Sequence, residues 1–263
     1  MPTAPLITLT TDFGDDSPYV AVVKGVIFSI NPAARVIDLS HRIRPQDLRH
    51  ASYFLGTAVP YFPAGTIHVC VIDPGVGSER EAIYAQAGGA RLVGPDNGIF
   101  TGVLRHFGGP AYVRTLTDSR FRRPHVSDTF HARDIFAPAA AHLSLGLDPA
   151  ELGPEHPHPV ELPSRSAVTF QNRWQGEVQF IDHFGNLITN IPAAGLKSLP
   201  VRVSFNGGVP EPIRWVRTYS AAAPGELVSL FSSDGFFEIA EVNGNAAKRL
   251  GVHVGAMVQV EFE

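Results

Sequence analysis

The sequence predicts an α/β domain followed by a small all-β domain, and three observations carry that prediction. Over the first 145 or so of the 263 residues, short β-like runs alternate with amphipathic helical stretches. Residues 147–165, LDPAELGPEHPHPVELPSR, then carry five prolines and neither a helical nor a strand period, as a linker or wrapping segment does. Beyond them the pattern changes to short strands at close spacing, the mark of a small barrel or sandwich.

The first strand is LITLT (6–10). A helix follows from about Pro18 to Ile30: Ser17 and Pro18 make an N-cap and first-turn pair, and Tyr19, Val23, Val26, Ile27 and Ile30 share one face. RVIDL (35–39) reads as a short strand, a helix from about Pro45 to Val59 aligns Leu48, Ser52, Leu55 and Val59, and TIHVCVI (66–72) is the next strand. EAIYAQA (81–87) and ARLVGP (90–95) are two further strands, ahead of a helical stretch at Ile99–His106 and a strand at AYVRTL (111–116). A last helix runs from near Arg133 to Leu145, with Asp134 as candidate N-cap and Pro138 tolerated in the opening turn. In the second domain EVQFID, LITNI, VRVSF, IRWVRTY, ELVSLF, FFEIA and AMVQVEF read as strands, and NAAKRLG (245–251) as one short helix stopped by glycine.

Composition narrows the function classes. Hydrophobic residues at 44% and charged ones at 17% describe a globular chain, and 22 Pro with 25 Gly describe one rich in turns. A net charge of −4 gives no electrostatic case for a nucleic-acid partner, so the basic run RFRRPH (120–125) reads as a solvated loop. The single cysteine, Cys70, excludes an intrachain disulfide and a Cys-based zinc site. His156 and His158 lack a nearby Cys or rigid element, so no metal is expected. MPTAPLITLT has neither a basic n-region nor an apolar h-region, and no stretch approaches the ~18 apolar residues of a membrane span. The expected location is the cytoplasm, with no membrane partner.

Acidic and polar residues recur just after β-like runs: Asp12 in TTDFG, Asp73 in VIDPG, Asp96 and Asn97 in GPDNG, Asp182 and Asn186 in IDHFGN. In α/β sheets ligands bind beyond the carboxyl ends of the strands, so these positions converge on one crevice if the strands are neighbours. Each taken alone is ordinary turn chemistry, because Asp and Asn bond their own backbone. VIDPGVGSER places Arg80 seven residues after Asp73 across a Pro-Gly break, either as a plain strand exit or as a way to bring acid and guanidinium together. DTFHARDIFAPAAAHL puts His131 directly before a helix. No phosphate loop, GxGxxG or GxSxG is present.

TDFG, IDPGVGSER, GPDNG, FHARDIFAPAAA, IDHFGNLITN and SSDGFFEIAEVNGNAA occur in that order across nearly the whole chain. In them the sequence resembles the S-adenosyl-L-methionine hydroxide adenosyltransferases, relatives of the bacterial fluorinase and chlorinase. The resemblance implies a Rossmann-like α/β domain with a mixed sheet over residues 1–165 and a small β-barrel domain over 166–263. It also implies a homotrimer with active sites between the first domain of one subunit and the second domain of its neighbour. The implied reaction is attack of water on C5′ of S-adenosyl-L-methionine, releasing adenosine and L-methionine. The sulfonium compound is then the small-molecule substrate, and no cofactor or metal is called for.

Carried over residue by residue, the water-activating set falls on Asp73, Arg80 and His131, and the halogenases have non-acidic residues where Asp73 stands. Asp12 matches the acid that binds the ribose hydroxyls, and Tyr19 is a further substrate contact. Asp182 and Ser233 match groups that hold the methionine end. Phe184, Asn186 and Tyr219 fall where the adenine is stacked and hydrogen-bonded, and the backbone near Ala246 reaches the same ring. Two positions depart from the pattern: Ser17 stands where relatives usually carry Asp before Pro-Tyr, and Ala132 replaces the usual Gly after the histidine. Two other functions compete with hydrolysis. A module that only binds S-adenosyl-L-methionine or adenosine needs no water-activating group, and a halide-using adenosyltransferase is disfavoured because an ionised Asp73 repels an incoming halide.

Overall fold

A computed structural model describes residues 6–195 and 199–263. The chain divides into two compact units, Met1–Leu162 and Pro163–Glu263.

Among its described residues the first unit is built on six strands, β1 (Leu6–Thr11), β2 (Arg35–Ser40), β3 (Ile67–Val71), β4 (Ala82–Ala87), β5 (Ala90–Pro95) and β6 (Tyr112–Thr115), in the order β2-β1-β3-β5-β4-β6. The first four in that order run parallel, whereas β4 is antiparallel to both β5 and β6, so the sheet is mixed. Among the described residues four α-helices accompany it: α1 (Tyr19–Ile30), α2 (Leu48–Ala58), α3 (Thr101–His106) and α4 (Ala137–Ser144). The α1 and α4 helices pack on one face with Ile67, Val69 and Val71, while α2 and α3 pack on the other with Cys70 and Ile72. Burial on both faces is why TIHVCVI shows no polar alternation. Burial also pushes the Cys70 thiol up, leaving it protonated.

His68 sits in that run with no exposed surface, its Nδ1 2.8 Å from Thr8 Oγ1 and its ring edge against Phe62. Nε2 has no hydrogen-bond partner, and burial pushes the imidazole down to about 4 from 6.5. Between those two values the unfolded chain takes up a proton that the folded one refuses, so the neutral ring's contribution is complete above pH 6.5 and is lost as pH falls toward 4. The difference of about 2.5 units corresponds to roughly 3 kcal/mol at 1.36 kcal/mol per unit. Urea unfolding is expected to show stability falling between pH 7 and pH 4.5, with a shallower fall in His68→Asn; equal slopes would contradict this.

Element boundaries differ from expectation for local reasons. Pro18, not Ser17, is the N-cap of α1, and the Ser17 hydroxyl instead donates to the Phe13 carbonyl at 2.8 Å. The α2 helix starts at Leu48, because Gln46 is left-handed (φ 62°) and Asp47 caps by accepting the His50 N–H at 2.9 Å. Asp134 is not a cap. The helix opens on a π-turn at Ala132–Phe136 that leads into α4, and Asp134 lies buried inside it. The proline-rich segment includes a short 3-10 turn, Pro149–Leu152, and then follows β6, where the His156 N–H donates to the Val113 carbonyl.

The second unit holds β7 (Val168–Phe170), β8 (Arg173–Ile181), β9 (Leu187–Pro192), β10 (Pro200–Phe205), β11 (Glu211–Pro212), β12 (Arg214–Trp215), β13 (Leu227–Phe231), β14 (Phe236–Glu241) and β15 (Met257–Phe262), with α5 at Ala246–Leu250. Their order is β11-β10-β15-β8-β9-β14-β13-β12, with β7 paired to β8. Only Ile213 separates the two end strands. One stretch of chain therefore pairs with β10 on one side and β13 on the other, and the sheet nearly closes into a barrel. The strand expected over 213–219 pairs only as far as Trp215 and gives way to a 3-10 turn at Tyr219–Ala221. No helix among the described residues is long and apolar enough to cross a membrane.

Candidate active site

Strand order reverses between β1 and β3, and that reversal is where open α/β sheets bind ligands beyond their carboxyl ends. Asp12 directly follows β1, and Asp73 follows β3 by two residues. Because β4 is antiparallel, its first residues lie at the same end of the sheet, and Arg80 precedes it by two. The connection is two tight turns, with Val76 N–H on the Asp73 carbonyl and Ser78 N–H on the Gly75 carbonyl. They return Arg80 to Asp73: Nε donates to Oδ1 at 2.8 Å and an Nη donates to Oδ2. The pair is bidentate and little exposed, at 9% and 5% of side-chain surface.

His131 completes the group. The same Nη of Arg80 lies 2.7 Å from His131 Nδ1, and the guanidinium lies over the Phe136 ring with its carbon 5.5 Å from the centroid. A guanidinium only donates, so Nδ1 is the acceptor and the ring proton sits on Nε2. Burial, with the Arg80 charge behind it, holds the imidazole below its ordinary value. The segment before His131 is fastened by Asp134, whose buried carboxylate accepts the Ser127 N–H at 2.9 Å and Arg133 Nε at 2.7 Å. Burial pushes that carboxyl up, but these bonds outweigh it and leave it below its usual range.

Gly77 joins the two halves of the site. Its φ is 78°, and a Cβ there would lie 2.3 Å from the Asp128 carbonyl oxygen, so only glycine lets the loop carrying Arg80 meet the loop leading to His131. Gly77→Ala is expected to lower both Tm and turnover, the left-handed conformation alone costing about 1–2 kcal/mol; thermal melts with steady-state assays check this.

The other expected residues have defined places. Asp12 Oδ2 accepts the Gln46 N–H at 2.9 Å. Tyr19, half-exposed, meets Phe13 and Phe130 edge-on with centroids 5.8 and 5.3 Å away, so its ring is packed beside the residue preceding His131. Asn97 donates to the Ile72 carbonyl at 2.9 Å and so braces the strand exit bearing Asp73. Asp96 accepts His156 Nε2 and the Val160 N–H, both at 2.8 Å, and ties down the proline-rich segment.

The remaining residues belong to the second unit. Asp182 accepts the N–H groups of Phe184 and Asn186 and the Asn186 side-chain amide, at 2.9–3.0 Å, which sets Phe184 outward at 70% exposed. The turn's Gly185 carbonyl takes the Ala247 N–H at 2.9 Å, tying it to the start of α5 where Ala246 is buried. Ser233 is exposed in the turn before β14. The Tyr219 hydroxyl donates to Glu238, an acid only 4% exposed, and burial pushes both groups up, Glu238 further through the nearby Asp182 and Asp234 charges. Glu238 was not among the expected residues; a single acid inside the apolar run FFEIA is the signal that marks it. Among the described residues no three His, Cys, Asp or Glu are grouped to hold a metal ion.

Fold and site together define a two-domain protein, a mixed α/β sheet and a nearly closed β-sheet, whose first unit holds a linked carboxylate, guanidinium and imidazole at its topological switch. The chain belongs to the SAM hydroxide adenosyltransferase family: the family's N-terminal domain matches residues 7–153 and its C-terminal domain residues 176–259. It is 41% identical to an (R)-S-adenosyl-L-methionine hydrolase from Thermus thermophilus, over 95% of this chain and 97% of that one. A fluorinase from Nocardia brasiliensis is more distant, at 26% identity over 98% and 97%. A solved structure of a conserved protein from Thermotoga maritima superposes with a TM-score of 0.88 at 35% identity, covering 97% of this chain and 99% of that one.

Proposed function

We propose that this protein hydrolyses S-adenosyl-L-methionine to adenosine and L-methionine, with water attacking C5′ of the adenosyl group. The observation that carries the reading is the Asp73–Arg80–His131 linkage, in a chain whose full-length relatives at 36–41% identity are named for this hydrolysis. Free hydroxide from unassisted water costs about 12 kcal/mol at pH 7, from a pKa of ~15.7, and no carboxylate in its ordinary range closes that gap as an equilibrium base. Asp73 therefore accepts the proton as the C–O bond forms. A carboxylate offers about four lone-pair sites, so two remain for water beside the two given to Arg80. With Nδ1 committed to Arg80, His131 offers water its Nε2–H and aims it rather than taking the proton. The leaving thioether is neutral, so in-line positioning in a pocket with little water supplies the rest.

The reading extends to a Rossmann-like first domain, a homotrimer with sites between subunits, a cytoplasmic location, and activity that survives a chelator. Incubation in ¹⁸O-labelled water is expected to give adenosine and methionine in equal amounts with the label on the 5′ oxygen; no adenosine would overturn the proposal. Turnover is also expected to fall on an acid limb below pH 6.5, because a proton on Nδ1 ends the Arg80 contact. In His131→Asn, whose amide oxygen accepts from Arg80 without titrating, a pH–rate profile should lack that limb.

A further inference from the structure

We infer that His41, with Thr11 and Asp38, is a positioning relay that holds the loop carrying Asp12. The inference rests on the reading of Asp12 as the acid that takes the ribose hydroxyls. His41 is buried directly after β2. Nδ1 is 2.8 Å from Thr11 Oγ1, while Nε2 lies 3.1 Å from Asp38 Oδ1 without making a hydrogen bond to it. The backbone carbonyl accepts the Gly14 N–H at 2.9 Å. Lys24 holds the other Asp38 oxygen at 2.6 Å.

Hydrogen-bond chemistry gives the chain a direction. The Asp38 charge 3.1 Å away favours the tautomer with its proton on Nε2, and Nδ1 then accepts the Thr11 O–H. The Thr11 oxygen, its proton spent on His41, is then the acceptor for the Phe13 N–H at 3.3 Å. Asp12 is thus held from both sides in sequence, through Thr11 and Phe13, while Gly14 is pinned to the His41 carbonyl. The next residues along, Arg42 and Gln46, reach the same loop at Asp15 and at Asp12 Oδ2.

Hydroxyl, imidazole and carboxylate in this order match a nucleophile triad, but Thr11 is 2% exposed and no substrate reaches it. Nor is packing a sufficient reason for these residue types, since a Val and Leu pair fills such space without two buried polar groups to satisfy. What the polar chain adds is a fixed orientation for the peptide group that follows Asp12, whose Phe13 N–H is held by Thr11 Oγ1.

Thr11→Val, His41→Leu, His41→Asn and Asp12→Ala are compared with wild type by adenosine release across S-adenosyl-L-methionine concentrations, with Tm measured alongside. Thr11→Val and His41→Leu are expected to raise KM at least fivefold with kcat within threefold of wild type. His41→Asn, whose amide oxygen accepts the Thr11 hydroxyl, is expected to recover most of the loss. A lowered Tm with KM unchanged in Thr11→Val and His41→Leu, while Asp12→Ala raises KM, overturns the relay and leaves the ribose reading standing. If Asp12→Ala itself leaves KM unchanged, the ribose reading falls and the relay with it. Where His41→Leu does not fold, Thr11→Val decides alone.

Discussion

Asp73→Asn is expected to bind S-adenosyl-L-methionine with a dissociation constant within about threefold of wild type and to turn it over some 10²–10⁴-fold more slowly, the usual contribution of a positioned general base. The amide is isosteric, so the pocket keeps its shape. Its one oxygen keeps a lone pair for water but is not basic, so the acceptor for the proton leaving water is gone. One of its two terminal groups also becomes a donor facing the donors of Arg80, where both carboxylate oxygens now accept. Some loss of Tm therefore accompanies the loss of rate, because the pair is buried and one contact turns repulsive. Calorimetric binding and single-turnover assays on the same preparation separate the two effects. A variant that binds normally and turns over within tenfold of wild type would remove Asp73 from the proton's path.

The fold was legible where physics is local, and obscure where it depends on pairing. TIHVCVI reads as a strand because it is a short run of apolar or small side chains, all but His68, and its burial on both faces is visible only in the structure. The Asp-Pro-Gly exit after it reads as a turn, and Arg80 as a residue that such a turn can return. That Arg80 does return depends on β4 pairing antiparallel to β5, which neither strand's composition encodes. His131 was visible as a residue before a helix, but not the π-turn that follows it, because Asp134 reads as an N-cap until its burial is known. Barrel closure hangs on Ile213 alone, between two strands of two residues each, below the length at which alternation means anything. The roles of Glu238 and His41 depend on pairing too: their hydrogen-bond partners Tyr219 and Thr11 lie 19 and 30 residues away in sequence.

Arg80→Lys, a change that keeps the charge, is expected to cost about 10²-fold or more in turnover. The guanidinium makes a planar fork: Nε and one Nη grip the two oxygens of Asp73, and that same Nη reaches His131 Nδ1. A lysine ammonium is a point charge on a flexible stem and does not reproduce a fork that orients two partners at once. If it stays on Asp73, His131 Nδ1 loses its donor, and with it the constraint that fixes the ring proton on Nε2. If it turns to His131, a buried carboxylate is left short of hydrogen bonds. The planar guanidinium over Phe136 is lost either way. Because Arg80 acts through Asp73 and His131, the double variant Arg80→Lys/Asp73→Asn is expected to be little slower than the slower single variant, as residues that work as a unit are non-additive. Independent losses that multiply in the double variant would mean that Arg80 serves the reaction by some route other than aiming these two side chains. A single Arg80→Lys variant within threefold of wild type would mean that charge alone is enough and that the fork has no part in turnover.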